Sequence, residues 1–426
     1  MCSSFCTRSC QNDRSRLCQF SVSNCIGGDK LILAVLFVFQ LQCLGDAKLL
    51  LVDKLVDTLR LNGAAQAKQY ADFPGRLFVT SRGTTLSTRH PYTGNASLTA
   101  MTDLTSKEPK ILESWTSPFA LEGQDLTVWS DRILVVTDIG RGVLLIFNAS
   151  RVGDGPVSSL NLISVDQALH VRLFHHKSGR RYALVTSGEA VGPGRVVYVE
   201  VTDPRAPREL GSLDLGLSIP EGVLVHDSTA TGYFGGCNDT KLVVVDLSQL
   251  PSSPVVREVM HDQSYIQMVS TPDSYVHDAW FALYGGEMTA GVGQGGLAHF
   301  HIESNGSLTE LSRLVDPRLT GSNRVVLSKD QNGKSVALLP LEHSPIGGLA
   351  VVSLAPAMKL ESLVHFTAPP GQNVSTTRCF CATGAVGEVG SLVHAFVGQI
   401  STMFTFLFTD DGDNAFRSAP SFQVFI

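Results

Sequence analysis

The most constraining feature of this chain is a pattern that returns about every 50 residues. A first apolar run occurs at RLFVT (76–80), RILVV (132–136), RYALV (181–185), GYFGG (232–236), WFALY (280–284), SVALL (335–339) and LVHAF (392–396). A Gly-rich or polar turn follows, then a second run: VLLIF (143–147), VVYVEV (196–201), LVVVDL (242–247), LAHFHI (297–302), LAVVSL (349–354) and MFTFLF (403–408). Behind several of these, a polar stretch with proline leads into another brief strand, as in DPRAPRELGSLDL and DLSQLPSSPVVREV. Seven such copies predict an all-β chain, a β-propeller of seven four-stranded blades. No segment sustains the 3.6-residue period of a helical repeat, and strands do not alternate with helices as an α/β fold requires. GYFGGCNDTKLVVVDLSQLPSSP (232–254) therefore reads as the middle of one blade: second strand, turn, third strand and the link outward.

The repeats place a propeller domain at 46–426 and set apart a leader at 1–45. Within the leader, LILAVLFVFQLQCLG (31–45) follows Lys30 as a continuous apolar run. It is short for a bilayer span, which takes about 20 residues, and suits the core of a signal peptide, with Gly45 and Ala47 as small residues near a cleavage point. The expectation is a secreted protein, or one of the secretory lumen or cell surface. Five cysteines precede the apolar run and would suit palmitoylation, so membrane contact is expected only through a leader that is not cleaved. Of nine cysteines, Cys237, Cys379 and Cys381 remain for the domain. They allow one bridge, from Cys237 to either of the others, so packing must hold the fold together. The Cys379-x-Cys381 spacing is not that of metal ligands. Five of the twelve asparagines stand in glycosylation sequons, Asn95, Asn148, Asn238, Asn305 and Asn373, each in a turn-like context. AKLLLVDKLVDTLRL (47–61) fits a helix with Leu51, Leu55 and Leu59 on one stripe. It also echoes LVVVDLS, and as a strand it would complete the last blade and close the ring.

Composition enters by exclusion. With 43% hydrophobic and 17% charged residues there is ample material for a core. A net charge of −6 with no basic stripe argues against nucleic acid as a partner. G-x-S-x-G, H-E-x-x-H, P-loop and paired C-x-x-C motifs are missing. The glycine-rich GGEMTAGVGQGG (285–296) lies between strands and opens no helix, so it lacks the dipole of a phosphate loop.

Two resemblances follow from quoted stretches. VYVEVTDPRAPRELGSL, LVVVDLSQLPSSP and EGVLVHDSTATGYFGG resemble the LVIVD-repeat propellers, typical of secreted or surface proteins, a resemblance that covers roughly residues 98–250. Residues 295–354, with GGLAHFHIESNGSLTEL and VVLSKDQNGKSVALL, look like the lactonase-type seven-bladed propellers. The second resemblance implies a hydrolase acting on a cyclic ester in the central channel. Both are matches of repeat grammar, which inform fold more than activity.

In a propeller, the turns between second and third strands and the segments leading into each first strand open on one face, around the axial channel. Those turns carry Arg82, Asp138, Arg141, Glu189, Glu287, Glu342 and His343. The lead-in segments carry Glu122, Asp166, His170, Glu221, His261, Asp262 and Arg324. Each alone also fits a polar loop tip; their convergence is the signal. Such a set suits a polyhydroxylated ligand, or a divalent cation such as Ca2+ held by Glu122, Glu221 and Glu287. One expectation is a recognition module for protein or glycan. The other is a lactonase-type hydrolase, in which Glu122, Glu221, Glu287 and His343 supply cation or base and Arg324 stabilises the oxyanion. His226-Asp227 and His277-Asp278 fall on the opposite face and read as hairpin turns. His299 and His301 share one side of a strand, as a metal pair would require and as an outward polar face also explains.

Overall fold

A computed structural model describes residues 48–56, 64–69, 76–81, 96–102, 110–116, 123–129, 133–138, 142–187, 194–236, 239–261, 265–270, 277–285, 294–330, 332–341, 348–365, 379–387, 390–397 and 402–409. Its strands form seven antiparallel sheets of four, the architecture expected from the repeats. The first strand, β1 (Lys48–Val56), belongs to the last sheet. Blade 1 contains β2 (Ala64–Gln69), β3 (Arg76–Ser81), β4 (Ala96–Thr102) and β5 (Ile111–Thr116). Blade 2 contains β6 (Gly123–Trp129), β7 (Ile133–Asp138), β8 (Val143–Asn148) and β9 (Pro156–Asn161). Blade 3 contains β10 (Ala168–His175), β11 (Arg181–Ser187), β12 (Gly194–Glu200) and β13 (Arg208–Leu217). Blade 4 contains β14 (Gly222–His226), β15 (Thr231–Gly235), β16 (Lys241–Asp246) and β17 (Val255–His261).

Blade 5 contains β18 (Tyr265–Ser270), β19 (Asp278–Leu283), β20 (Gly296–Ile302) and β21 (Leu308–Val315). Blade 6 contains β22 (Val326–Lys329), β23 (Ser335–Leu341), β24 (Gly348–Ser353) and β25 (Lys359–His365). Blade 7 contains β26 (Cys379–Gly387), β27 (Gly390–Val397) and β28 (Thr402–Thr409), and β1 lies outside β28. Of the stretch that fitted either helix or strand, residues 48–56 form a strand that completes the last blade. Inner strands β2 and β26 lie against each other, so blades 1 and 7 meet. The GYFGG and LVVVD runs are β15 and β16, neighbours in blade 4.

Second and third strands such as β8, β11, β16 and β24 carry apolar runs that are buried along their length, because both their faces are covered by neighbouring blades. Side chains alternate across a strand, so successive residues serve successive cores. Val136 packs in the core between blades 1 and 2, and Val135 in that between blades 2 and 3. Likewise Phe234 and Val243 face blade 3, while Tyr233, Leu242 and Val244 face blade 5. Outer strands have one face in water and alternate accordingly: in β9 every second side chain is exposed.

Candidate functional site

The channel end of the inner strands is irregular by a repeated device. One extra residue interrupts pairing near the start of β2, β6, β10, β18 and β26. Such bulges bend a strand and re-aim its side chains, and they recur at rims and next to sites. In blade 3 the bulge falls between Ala168 and Val171 and takes two backbone groups out of the ladder. Threonine hydroxyls recover both: Thr137 of blade 2 donates to the Leu169 carbonyl at 2.9 Å, and Thr186 accepts from the His170 amide at 3.2 Å. His170, between those contacts, is buried.

Blade 6 begins differently. Residues 321–325 are wedged between blade 5 and β23: the Gly321 amide donates to the Tyr284 carbonyl at 2.9 Å and the Asn323 amide to the Pro340 carbonyl at 3.2 Å. Ser322 bridges to Leu341. Backbones approach closely here; a Cβ on Gly295 would stand 1.9 Å from the Leu319 carbonyl oxygen, so only glycine fits. Val325 packs in the core between blades 5 and 6. Its neighbour Arg324 is only 6% exposed, and its Nη1 finds no acceptor among the described residues. A guanidinium keeps its charge under any physiological condition, so burying one without an acceptor is costly.

At blade 4, Glu221 directly precedes β14 and is half-buried, its amide donating to the Ile219 carbonyl at 3.0 Å. The lead-in segment is tied to the turn between second and third strands by Asp239, which accepts from the Ser218 amide at 2.6 Å and hydroxyl at 2.7 Å. Glu221 and Arg324 precede the inner strands β14 and β22, as lead-in residues, whereas His170, expected in a lead-in segment, is the third residue of β10 itself. Asp138 ends β7, but its side chain lies outside the described residues. So do Glu122, Arg141, Glu189, Glu287, Glu342 and His343, together with Asn95, Asn238, Asn373 and the three domain cysteine side chains. Among the described residues no group of three His, Cys, Asp or Glu side chains is placed to hold a metal ion. Glu221 is the one described member of the carboxylate trio assigned to a cation.

The opposite face carries features that sequence reasoning read as plain turns. Asp227 accepts from His175 of blade 3, Nδ1 to Oδ2 at 3.0 Å, and His299 and His301 both approach Asp278, at 3.4 and 3.8 Å. His299 also stacks flat on Trp280, ring centroids 3.8 Å apart. Two sequon asparagines are described, both in turns from third to fourth strand. Asn148 accepts from the Ser150 amide at 2.9 Å, and the exposed Asn305 accepts from the Ser307 amide at 2.9 Å and hydroxyl at 2.8 Å. The sequence reading missed Ile163, 91% exposed on the connection from blade 2 to blade 3. The sequence carries no signal for it, since Leu162 and Val165 beside it are equally apolar and are buried.

No protein-family model matches this chain, and no curated protein matches it. Solved structures do. The Cps50 (Swd1) β-propeller domain of Myceliophteria thermophila aligns with 85% of this chain and 100% of its own, at 9% identity and a TM-score of 0.53. The WD40 domain of Toxoplasma gondii coronin aligns over 87% of each chain, also at 9% identity and 0.53. Kuenenia stuttgartiensis hydrazine synthase aligns with 81% of this chain and 95% of its own, at 13% identity and 0.53. At such identities these likenesses concern the fold alone, and the fold is that of the β-propellers.

Proposed function

We propose that this propeller is a recognition module of the secretory pathway or cell surface, taking an acidic group of a protein or glycan ligand at the channel end of blade 6. The observation that supports it is Arg324, a buried guanidinium whose Nη1 has no acceptor among the described residues. A ligand carboxylate or phosphate would supply that acceptor, as a charge-assisted hydrogen bond in a place already stripped of water. The alternative, a hydrolase of the lactonase type, would use the same guanidinium to polarise an ester carbonyl. Its water-activating candidates Glu122, Glu287 and His343 lie outside the described residues.

The test uses full-length protein secreted from a eukaryotic host. Its mass should fall on enzymatic deglycosylation, by an amount that Asn305→Gln reduces. A panel of uronic- and sialic-acid oligosaccharides and acidic peptides is then compared with neutral counterparts. Acidic members should bind, and Arg324→Met should weaken them at least about tenfold, the loss of a hydrogen bond to a charge worth about 1.5–3 kcal/mol. Because an unpaired buried charge opposes folding, Arg324→Met should also leave the thermal midpoint unchanged or raised. A lowered midpoint would assign Arg324 to a structural ion pair, and undiminished binding would remove it from the site.

A further inference from the structure

On the face away from the channel lead-ins, histidines gather where blades 4 and 5 meet. His226 ends the inner strand β14 and is buried. Its Nδ1 lies 2.9 Å from the Thr229 hydroxyl of the same turn. Across the seam, His277 precedes β19, and its Nδ1 donates to the Ile302 carbonyl at 2.7 Å. The two rings lie 5.0 Å apart between centroids, and the His301 ring lies 5.8 Å beyond His277. Three imidazoles from two blades thus form a file, with no acid between His226 and His277 among the contacts described.

We propose that this file is an acid-sensitive lock on the seam between blades 4 and 5: neutral imidazoles pack ring to ring, and protonation in a mildly acidic medium sets like charges against one another and loosens the seam. The surroundings bear on the sign. On the turn of His226 itself stands Asp227, which is already engaged by His175 of blade 3 at 3.0 Å. From blade 5 come His277, His301, His299 and Asp278; Asp278 approaches His299 and His301. On the flank, Arg257 pairs with Asp246 at 3.2 Å, so neither charge is free to compensate the file. Tyr233 stays neutral, its hydroxyl pushed by burial up to about 12 and donating to the Gly306 carbonyl at 2.8 Å.

Burial, and then the neighbouring His277, hold His226 below the ordinary histidine value against the pull of Asp227. Burial lowers His299 as well, against the pull of Asp278. For a histidine lowered on folding, the stabilisation is complete above the ordinary value of about 6.5 and is lost as pH falls toward the folded-state value. At the neighbouring seam, between blades 3 and 4, His175 instead meets the Asp227 carboxylate.

Amide hydrogen exchange on the full chain, read as protection factors from about pH 7.5 to about 5.5, distinguishes the two seams. The Ile302 amide, which donates to the His277 carbonyl at 2.5 Å, and amides of β14 and β19 should lose about tenfold in protection or more. The His175 amide, which donates to Asp227 at the neighbouring seam, should hold its protection. His226→Gln should flatten the response at blades 4 and 5. His277→Asn, which keeps a donor for the Ile302 carbonyl, should do the same where the first variant folds poorly. A loss spread evenly over all blades, or a response at this seam that survives both substitutions, would overturn the lock.

Discussion

Glu209 shows how much one side chain can organise. It projects from the outer strand of blade 3 and closes the connection arriving from blade 2. One carboxylate oxygen accepts from the Ile163 amide at 2.5 Å; the other accepts from the Ser164 amide at 3.1 Å and from the Ser164 hydroxyl. Leu162 and Val165 on either side are buried in the core between blades 2 and 3, whereas Ile163 projects into solvent. The clamp, not burial of its own side chain, fixes Ile163. Glu209→Ala leaves two amides and a hydroxyl to find water, and should cost about 1–3 kcal/mol in thermal or urea unfolding. Ile163→Ser should change stability by less than about 0.5 kcal/mol, since it removes no buried contact. A Glu209→Ala variant as stable as the native protein would mean the carboxylate merely rests there. Nothing local in NLISVDQ or PRELGS announces the contact, because its partners are 46 residues apart and meet only when two blades dock.

The turns from third to fourth strands explain why runs such as LVVVD end on an acid or amide. Asn148, Asp203, Asp246 and Asn305 each accept a hydrogen bond from the amide two residues on, at 2.8–2.9 Å. The side chain thereby imitates a backbone turn and stops the strand. Thus strand ends, like the apolar runs, could be read from the sequence, because both follow from chemistry within a few residues. Cross-blade contacts such as Asp227 with His175 could not, and the His-Asp dipeptides looked like ordinary turns for that reason. Asp246 adds an ion pair with Arg257 at 3.2 Å. Burial pushes its carboxyl up, but the Ser248 hydroxyl and amide and the Arg257 guanidinium outweigh burial and hold it below its ordinary range. A carboxyl lowered on folding contributes fully above its ordinary value of about 4 and loses that contribution as pH falls through the folded-state value. Asp246→Asn keeps an acceptor for Ser248 and removes the charge. It should be less stable than the native protein by about 1 kcal/mol at neutral pH, a modest figure because solvent screens the pair. The gap should close as pH drops below about 4. A gap that persists in acid would show that shape, not charge, accounts for the loss.

Closure of the ring depends on the strand whose sequence was least decided. Residues 47–61 carry leucines at helical spacing and a strand-like LLLVD together, and no local rule separates the two. The decision belongs to β28, whose free edge β1 fills in antiparallel register from Lys48 opposite Thr409 to Val56 opposite Thr402. The first described strand thereby completes the last sheet, and the chain leaving it enters blade 1, tying blades 7 and 1 covalently as well as by contact of β2 with β26. Repeat proteins gain stability from neighbouring units, and a ring gives every unit two neighbours. Removing residues through 56 should bare the edge of β28, and an unpaired edge is a template for another chain. The truncated protein should unfold at a lower temperature and self-associate with rising concentration. Added KLLLVDKLV peptide should restore the monomer and much of the lost midpoint, since it binds the native ring and not the unfolded chain. A truncated chain that stays monomeric with an unchanged midpoint would show that the contact of β2 with β26 holds the ring shut without its final strand.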